Sequence, residues 1–413
     1  MKKLVQFFLT LLVLVGLSLI IAPKAVLAST NQIAEPINKK VMLLIFDPIL
    51  ASKNGQKLTE YKRWHNPFVL ANEAISWLKS VTGNRVNYSV VSTIEENSEA
   101  AFLKKVDGFK YTEQSYLDVV DSGFSPHRPD IADYYEIINN YQICERLNNG
   151  EIDELWMFGG PWFGFYESRL AGPDSFDYNS PPLTGTSCKK TLPIMGYSYE
   201  RGMKEIIHDF GHRTEATMSK VYGSWQQNRT LHNWDKFGLV AVQSPSFGYS
   251  GCGTTHYTPT SQGAYIYDDR SLANSFCDEF NNYPNMSEPE DVLKEVTCET
   301  WGCNELGYYE WWFRHLPGFK GIGVDGKLND WWLYLIDPSS IFRDFSLTPT
   351  PTPIPTSEPI SGDLDSDNDV DIFDYNILIE NFGNTNCGNV ADINGDCKVD
   401  IFDYNILIEN FGS

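Results

Sequence analysis

Val41-Met42-Leu43-Leu44-Ile45-Phe46 is an unbroken apolar hexamer. It is followed by Phe68-Val69-Leu70-Ala71-Asn72-Glu73-Ala74-Ile75-Ser76-Trp77-Leu78-Lys79-Ser80-Val81 and by Val86-Asn87-Tyr88-Ser89-Val90-Val91-Ser92-Thr93-Ile94. The hexamer reads as a buried strand. In the second stretch Leu70, Ala74, Ile75 and Leu78 share one side of a helix, and the third is a second strand. Further along, the pattern predicts a helix over 130–147, strands over 154–158 and 192–197, and a helix over 200–222. Strands and helices in alternation specify an α/β domain with a mixed sheet. From 223 to 345 the chain is rich in Gly, Tyr, Trp and Ser with little periodicity, which predicts long loops and short elements held by disulfides.

The 413 residues are 42% hydrophobic and 21% charged, a globular composition. The formal charge of -22 is unevenly placed: residues 361–413 hold ten Asp, two Glu and one Lys, a balance of -11, half the excess in an eighth of the chain. Such a field repels phosphate backbones and anionic lipid, which excludes nucleic acid as a partner class and favours a bound divalent cation. At the N-terminus Lys2 and Lys3 precede an apolar run from Leu4 to Ile21, and Val26-Leu27-Ala28 offers small residues for cleavage. Residues 1–28 read as an export signal, with a membrane anchor as the competing reading. No later segment is long and apolar enough to span a bilayer, so the mature chain is expected to be secreted or held at the cell surface. Eight Cys, an even number, suit an oxidising compartment, and no C-x-x-C pair favours zinc. The six in the main body allow fifteen pairings.

The sharpest chemical signal lies on the 200–222 helix. At 100° per residue Met203, Ile206, Ile207, Phe210, Thr214, Met218 and Val221 fall within about 120° of arc and should pack on the sheet. Glu205, His208, His212 and Glu215 fall within roughly 80° on the opposite side. Two His at i and i+4 can ligate one metal from a single face; a solvated face with His and Glu paired to each other is the plainer alternative. His208-Asp209-Phe210-Gly211-His212 resembles the zincin H-E-x-x-H motif with Asp in place of Glu. The resemblance implies zinc on His208 and His212 and Asp209 as general base, one methylene shorter than the usual Glu. The longer zincin pattern would place a third His at 218, where Met218 stands; Glu215, His232, Asp235 and His256 are the substitutes, with His256 in Gly251-Cys252-Gly253-Thr254-Thr255-His256-Tyr257 preferred because Gly and Cys can hold a loop rigidly.

A second cluster is Trp156-Met157-Phe158-Gly159-Gly160-Pro161-Trp162-Phe163-Gly164-Phe165-Tyr166-Glu167-Ser168-Arg169. It begins at a strand end, where α/β folds place ligand sites. Its rings could stack sugars while Glu167 serves as acid or base. Trp301, Trp311, Trp312, Trp331 and Trp332 are further platforms or else core. No nucleophile elbow, P-loop or dinucleotide fingerprint appears.

Residues 347–360 begin Leu-Thr-Pro-Thr-Pro-Thr-Pro-Ile-Pro-Thr-Ser and read as an extended linker between the main domain, 29–346, and a tail, 361–413. The tail repeats Asp-Ile-Phe-Asp-Tyr-Asn-Ile-Leu-Ile-Glu-Asn-Phe-Gly at 371–383 and 400–412, within the units 363–383 and 392–412. Asp363, Asp365, Asp367, Asp369 and Asp374 occupy positions 1, 3, 5, 7 and 12 of one loop, and Asp392, Asn394, Asp396, Lys398 and Asp403 those of the other. This spacing lets side chains at 1, 3, 5 and 12, with the carbonyl at 7, converge on calcium. Each loop is followed by one helix, and none precedes it. Loop plus helix, twice, resembles the dockerin type I module over 362–412. The resemblance implies a small all-α pair of repeats, two calcium ions, and docking to a cohesin-like or cell-surface scaffold. Position 6, usually Gly, is Asn368 and Cys397, and a Cys387–Cys397 disulfide could hold the second loop closed. Ile372-Phe373 and Ile401-Phe402 replace the small polar residues of many dockerins.

An exported modular protein follows. The company of a dockerin-like tail implies a main domain acting on extracellular polymer, above all polysaccharide by O-glycosyl hydrolysis. A zinc hydrolase or peptidase and a non-catalytic binding module are the alternatives.

Overall fold

The computed structural model describes residues 32–226, 229–243, 245–345, 361–365 and 369–411, so the export signal, the linker over 347–360, and Asp367 and Asn368 lie outside the described residues. The chain divides into two compact units, Met1–Arg343 and Asp344–Ser413.

In the first unit the apolar hexamer forms the end of β1 (Ile37–Phe46), whose residues from Val41 onward are all buried. Helix α1 (Pro67–Val81) starts where Asn66 accepts from the amides of Phe68 and Val69, with Pro67 pre-set in the first turn. It buries Leu70, Ala74 and Leu78 and leads into β2 (Val86–Glu96). Helix α2 (Glu113–Ser122) follows. The single helix expected over 130–147 is two, α3 (Tyr134–Asn140) and α4 (Ile143–Asn148). The break is at Gln142, in the left-handed region with φ 54°. Asn139 and Asn140 are weak helix formers, so nothing local opposes the break.

Strand β3 (Glu154–Gly159) is buried throughout. Strand β4 (Ser168–Ala171) was not legible in the aromatic stretch, and β5 (Leu192–Ser198) was. The five-stranded sheet runs β2-β1-β3-β5-β4. Its first four strands are parallel, and β4 pairs antiparallel with β5 at the edge. The sheet is therefore mixed, as the alternation implied. Helix α5 (Met203–Tyr222) buries Ile206, Ile207, Phe210, Thr214, Met218 and Val221, the face predicted to pack inward.

Arg213, fully buried, locks α5 to the sheet. Its guanidinium donates twice to Glu154 on β3, at 2.5 and 3.1 Å, and to the Leu335 carbonyl at 2.8 Å. Glu154 also accepts from the Trp156 indole and the Tyr88 hydroxyl, so the buried carboxylate is fully partnered.

After α5 the chain is mostly loop, as expected, with helices α6 (Glu305–Arg314) and α7 (Trp331–Ile336). Trp301, Trp312, Trp331 and Trp332 are buried and build the core, so they are not sugar platforms. All eight Cys pair, as Cys144–Cys188, Cys252–Cys277, Cys298–Cys303 and Cys387–Cys397. No helix among the described residues is long and apolar enough to cross a membrane.

In the second unit, α8 (Ile372–Asn381) and α9 (Ile401–Glu409) carry the duplicated sequence. Their small core is Leu364, Val370, Leu378, Ala391, Val399 and Leu407, in which Val370 and Val399, and Leu378 and Leu407, are matched positions of the two copies.

Candidate metal centre

Helix α5 sets His208 and His212 one turn apart, and a loop brings His256 to them. Ligand atoms of the three imidazoles lie within 4.8 Å of one another. The His212 and His256 Nε2 atoms are 3.0 Å apart. A tetrahedral zinc about 2.0–2.1 Å from each nitrogen would space its ligand atoms about 3.3 Å apart, so small rotamer adjustments close the set on one ion.

Gly211 makes the approach of the loop feasible. A Cβ there would fall 2.7 Å from Thr255 Oγ1 and 2.9 Å from its Cγ2. Gly inside a helix costs about 1 kcal/mol against Ala, and its position beside His212 was the one sequence signal of a close neighbour. The loop itself is anchored at Cys252 by the disulfide to Cys277. The Trp312 indole donates to the Gly253 carbonyl at 3.0 Å, and the Tyr308 hydroxyl sits among the carbonyls of Cys252, Thr254 and Tyr257. Rigid presentation by Gly and Cys, inferred from sequence, has this physical form.

Each helical His is oriented by its second nitrogen. His212 Nδ1 meets Glu215 Oε2 at 2.9 Å, and Glu215 Oε1 accepts from the Thr255 amide at 2.8 Å. Glu215 therefore ties helix and loop together and leaves His212 Nε2 free to face the cluster. His208 Nδ1 lies 2.7 Å from the Tyr309 hydroxyl, which lies 2.9 Å from the Tyr267 hydroxyl; that one donates to the Thr255 carbonyl at 3.0 Å. With Tyr267 donating to the carbonyl, Tyr309 donates to Tyr267 and accepts from His208 Nδ1–H. This network assigns the tautomer that leaves His208 Nε2 as a ligand. The face expected to be solvated is thus largely covered: His208 is 7% exposed and Glu215 8%. The polar face is packed against the loop rather than open to water.

Burial lowers the His208 pKa to about 4, with the charges of His212 and His256 adding to the effect. Burial also lowers that of His256. For His212 burial acts in the same direction, but the Glu215 carboxylate outweighs it and the pKa is raised. His208 and His256 are neutral near pH 7, the form that binds metal.

Tyr265 completes the open side. Its hydroxyl is 3.0 Å from His256 Nε2, its amide donates to the His256 carbonyl at 2.8 Å, and it is 58% exposed. Its φ of 63° is unusual for an aromatic residue. Sequence reading missed it because nothing local marks a left-handed Tyr.

The remaining substitutes lie elsewhere. His232 caps the helix Asn233–Phe237, accepting from the Asp235 amide, and Asp235 pairs with Arg229. Asp209 and Glu167 do not join the imidazoles; they line a separate cavity of about 470 Å³ with Trp64, Trp162, Glu200 and Glu205. Asp209 lies 100° around α5 from His208. Burial raises its pKa well above the usual carboxylate range, and the charges of Glu167 and Glu205 push it further. The field of Glu167 also reaches His212 and Tyr265.

In the second unit, oxygens of Asp363, Asp365 and Asp374 lie within 4.8 Å of one another, and those of Asp369, Asp371 and Asp374 form a second such group. Asp374 and Asp403 are fully buried. Asp374 accepts from the amides of Leu364, Asp365 and Asp371, and Asp403 from those of Asn394 and Asp400. In the second loop the amides of Asp396 and Cys397 donate to Asp392, and that of Lys398 to Asp396. Cys397 has φ 70°, and its disulfide to Cys387 spans the loop where Gly is missing. Asp371 and Asp400, not assigned from sequence, cap α8 and α9.

No protein-family model, curated protein or solved structure matches this chain.

Proposed function

We propose that the main domain is an extracellular zinc-dependent hydrolase. The tail is a calcium-loaded, dockerin-like module that attaches it to a cohesin-like or cell-surface partner. The convergence of His208, His212 and His256, with Glu215 and Tyr309 behind the two helical imidazoles, carries the first reading. Three imidazoles and an open side are the donor set of a catalytic zinc. A zinc ion there supplies Lewis acidity toward a scissile carbonyl and acidifies water. Glu167, which lines the adjoining cavity, is the candidate general base. The Tyr265 hydroxyl donates to the oxygen that gains charge in the transition state.

Elemental analysis of chelator-free mature protein tests this. About one zinc per chain, lost in His212→Ala and His256→Ala, is expected; its absence from wild type sinks the reading.

A glycoside hydrolase is the second reading, favoured by Asp209 and Glu167 lining one cavity with Trp64 and Trp162. It predicts sugar release that chelators leave intact.

For the tail, the observations in support are the grouped loop carboxylates and the exposure of Ile372, Phe373, Ile401 and Phe402, each above 50%. Those four apolar residues suit an apolar rather than polar docking face.

A further inference from the structure

The cavity beside the imidazoles is acidic beyond what its own cations neutralise. Asp130 is taken by Lys105 at 2.7 Å, and Glu205 by Arg201 at 3.1 Å. Arg128 lies over the Trp162 ring at 5.3 Å, outside the lining. Glu167, Glu200 and Asp209 then remain, three carboxylates without an ion-pair partner among the described residues. Glu167 accepts from the Asn179 amide nitrogen. Glu200 is exposed at the rim.

Asp209 is the observation that points to a ligand. It is 93% buried by its 7% exposure, lines the cavity, and receives no hydrogen bond from the described residues. A buried carboxylate without a donor costs several kcal/mol unless something supplies one. Trp64 and Trp162 flank the space, and about 470 Å³ is ample for one long side chain.

Two tryptophan rings beside an unpartnered carboxylate suit an aliphatic stem ending in a cation. We infer that this cavity binds a Lys or Arg side chain of a polypeptide substrate, with Asp209 receiving the ammonium or guanidinium and Glu200 drawing it in. This rests on the hydrolase reading above and names its substrate class.

The test uses zinc-loaded mature protein and matched fluorogenic peptides that differ only in Lys, Arg or norleucine at one position, scanned across the scissile bond. Wild type is expected to prefer Lys or Arg at one position by at least about tenfold in kcat/KM, the worth of a charged hydrogen bond. Asp209→Asn should cut that ratio about tenfold, and Glu200→Gln, an exposed change that spares the fold, should lower it less. Active enzyme with no cationic preference overturns the inference and leaves the hydrolase reading intact. Equal loss on all peptides in Asp209→Asn with zinc retained makes Asp209 the general base and also overturns it. If no peptide is cleaved, calorimetric binding of agmatine decides. Agmatine bound by wild type and weakened in Asp209→Asn supports the cation site without the hydrolase reading, and no agmatine binding ends the proposal. Preferred turnover of an amino-sugar polymer likewise refutes it.

Discussion

Glu215→Gln probes the metal centre with the least change in shape. Glu215 uses two oxygens for two donors, His212 Nδ1–H at 2.9 Å and the Thr255 amide at 2.8 Å. Gln has one acceptor oxygen, so one donor must face an NH2 group inside a site that is 8% exposed. Thr255 cannot change its amide, but His212 can move its proton from Nδ1 to Nε2. The imidazole then accepts from the Gln NH2, and the nitrogen that faces His256 no longer carries a lone pair. Losing such an orienting carboxylate weakens metal affinity by roughly 10–100-fold, about 1.4–2.7 kcal/mol. Competition with a chromophoric zinc chelator measures the affinity, and nitrogen NMR of the metal-free imidazoles reads the tautomer. Affinity within about threefold of wild type, in a folded variant, would refute the claim that Glu215 aims His212, because loss of an orienting carboxylate is expected to weaken binding by at least about tenfold.

Three other outcomes are expected. Arg213→Met leaves Glu154 buried at 1% exposure beside donors that only partly compensate its charge; urea unfolding should show a loss of about 3–5 kcal/mol, and a loss near zero would remove the lock between α5 and the sheet. In metal-free protein His208 has a folded pKa of about 4, below its unfolded value near 6.5. The unfolded chain therefore binds the extra proton, and stability should fall by up to about 3 kcal/mol as pH drops from 6.5 to 4. The raised pKa of His212 acts in the opposite sense, but His256 reinforces His208, so the net slope is destabilising in acid and should flatten in His208→Asn. In a 361–413 fragment calcium should raise helix content by circular dichroism, and Asp363→Ala with Asp392→Ala should abolish the rise; a spectrum indifferent to calcium and chelator would defeat the dockerin reading.

What could be read from residues alone is what depends on neighbours in the chain. A buried hexamer needs only its own apolarity to be a strand, and the 3.6-residue period placed the inward face of α5 on the positions that pack. The spacing that suggests calcium loops is equally local, because the candidate donors of each lie within twelve consecutive residues. The mixed sheet followed from alternation, yet β4 did not, since four residues at an edge carry too little pattern to separate from a loop. The imidazole cluster was half legible. His208 and His212 are neighbours through the helix, whereas His256 arrives from 44 residues away and is placed by Gly211, a disulfide and the tyrosines of α6. Asp209 illustrates a related limit. Its identity beside His208 suggested a catalytic partner, but 100° of helical rotation sends it to a different cavity. Sequence sets the local periodicities; only packing decides which faces meet, because the energies that bring a loop onto a helix act between residues that no local pattern connects.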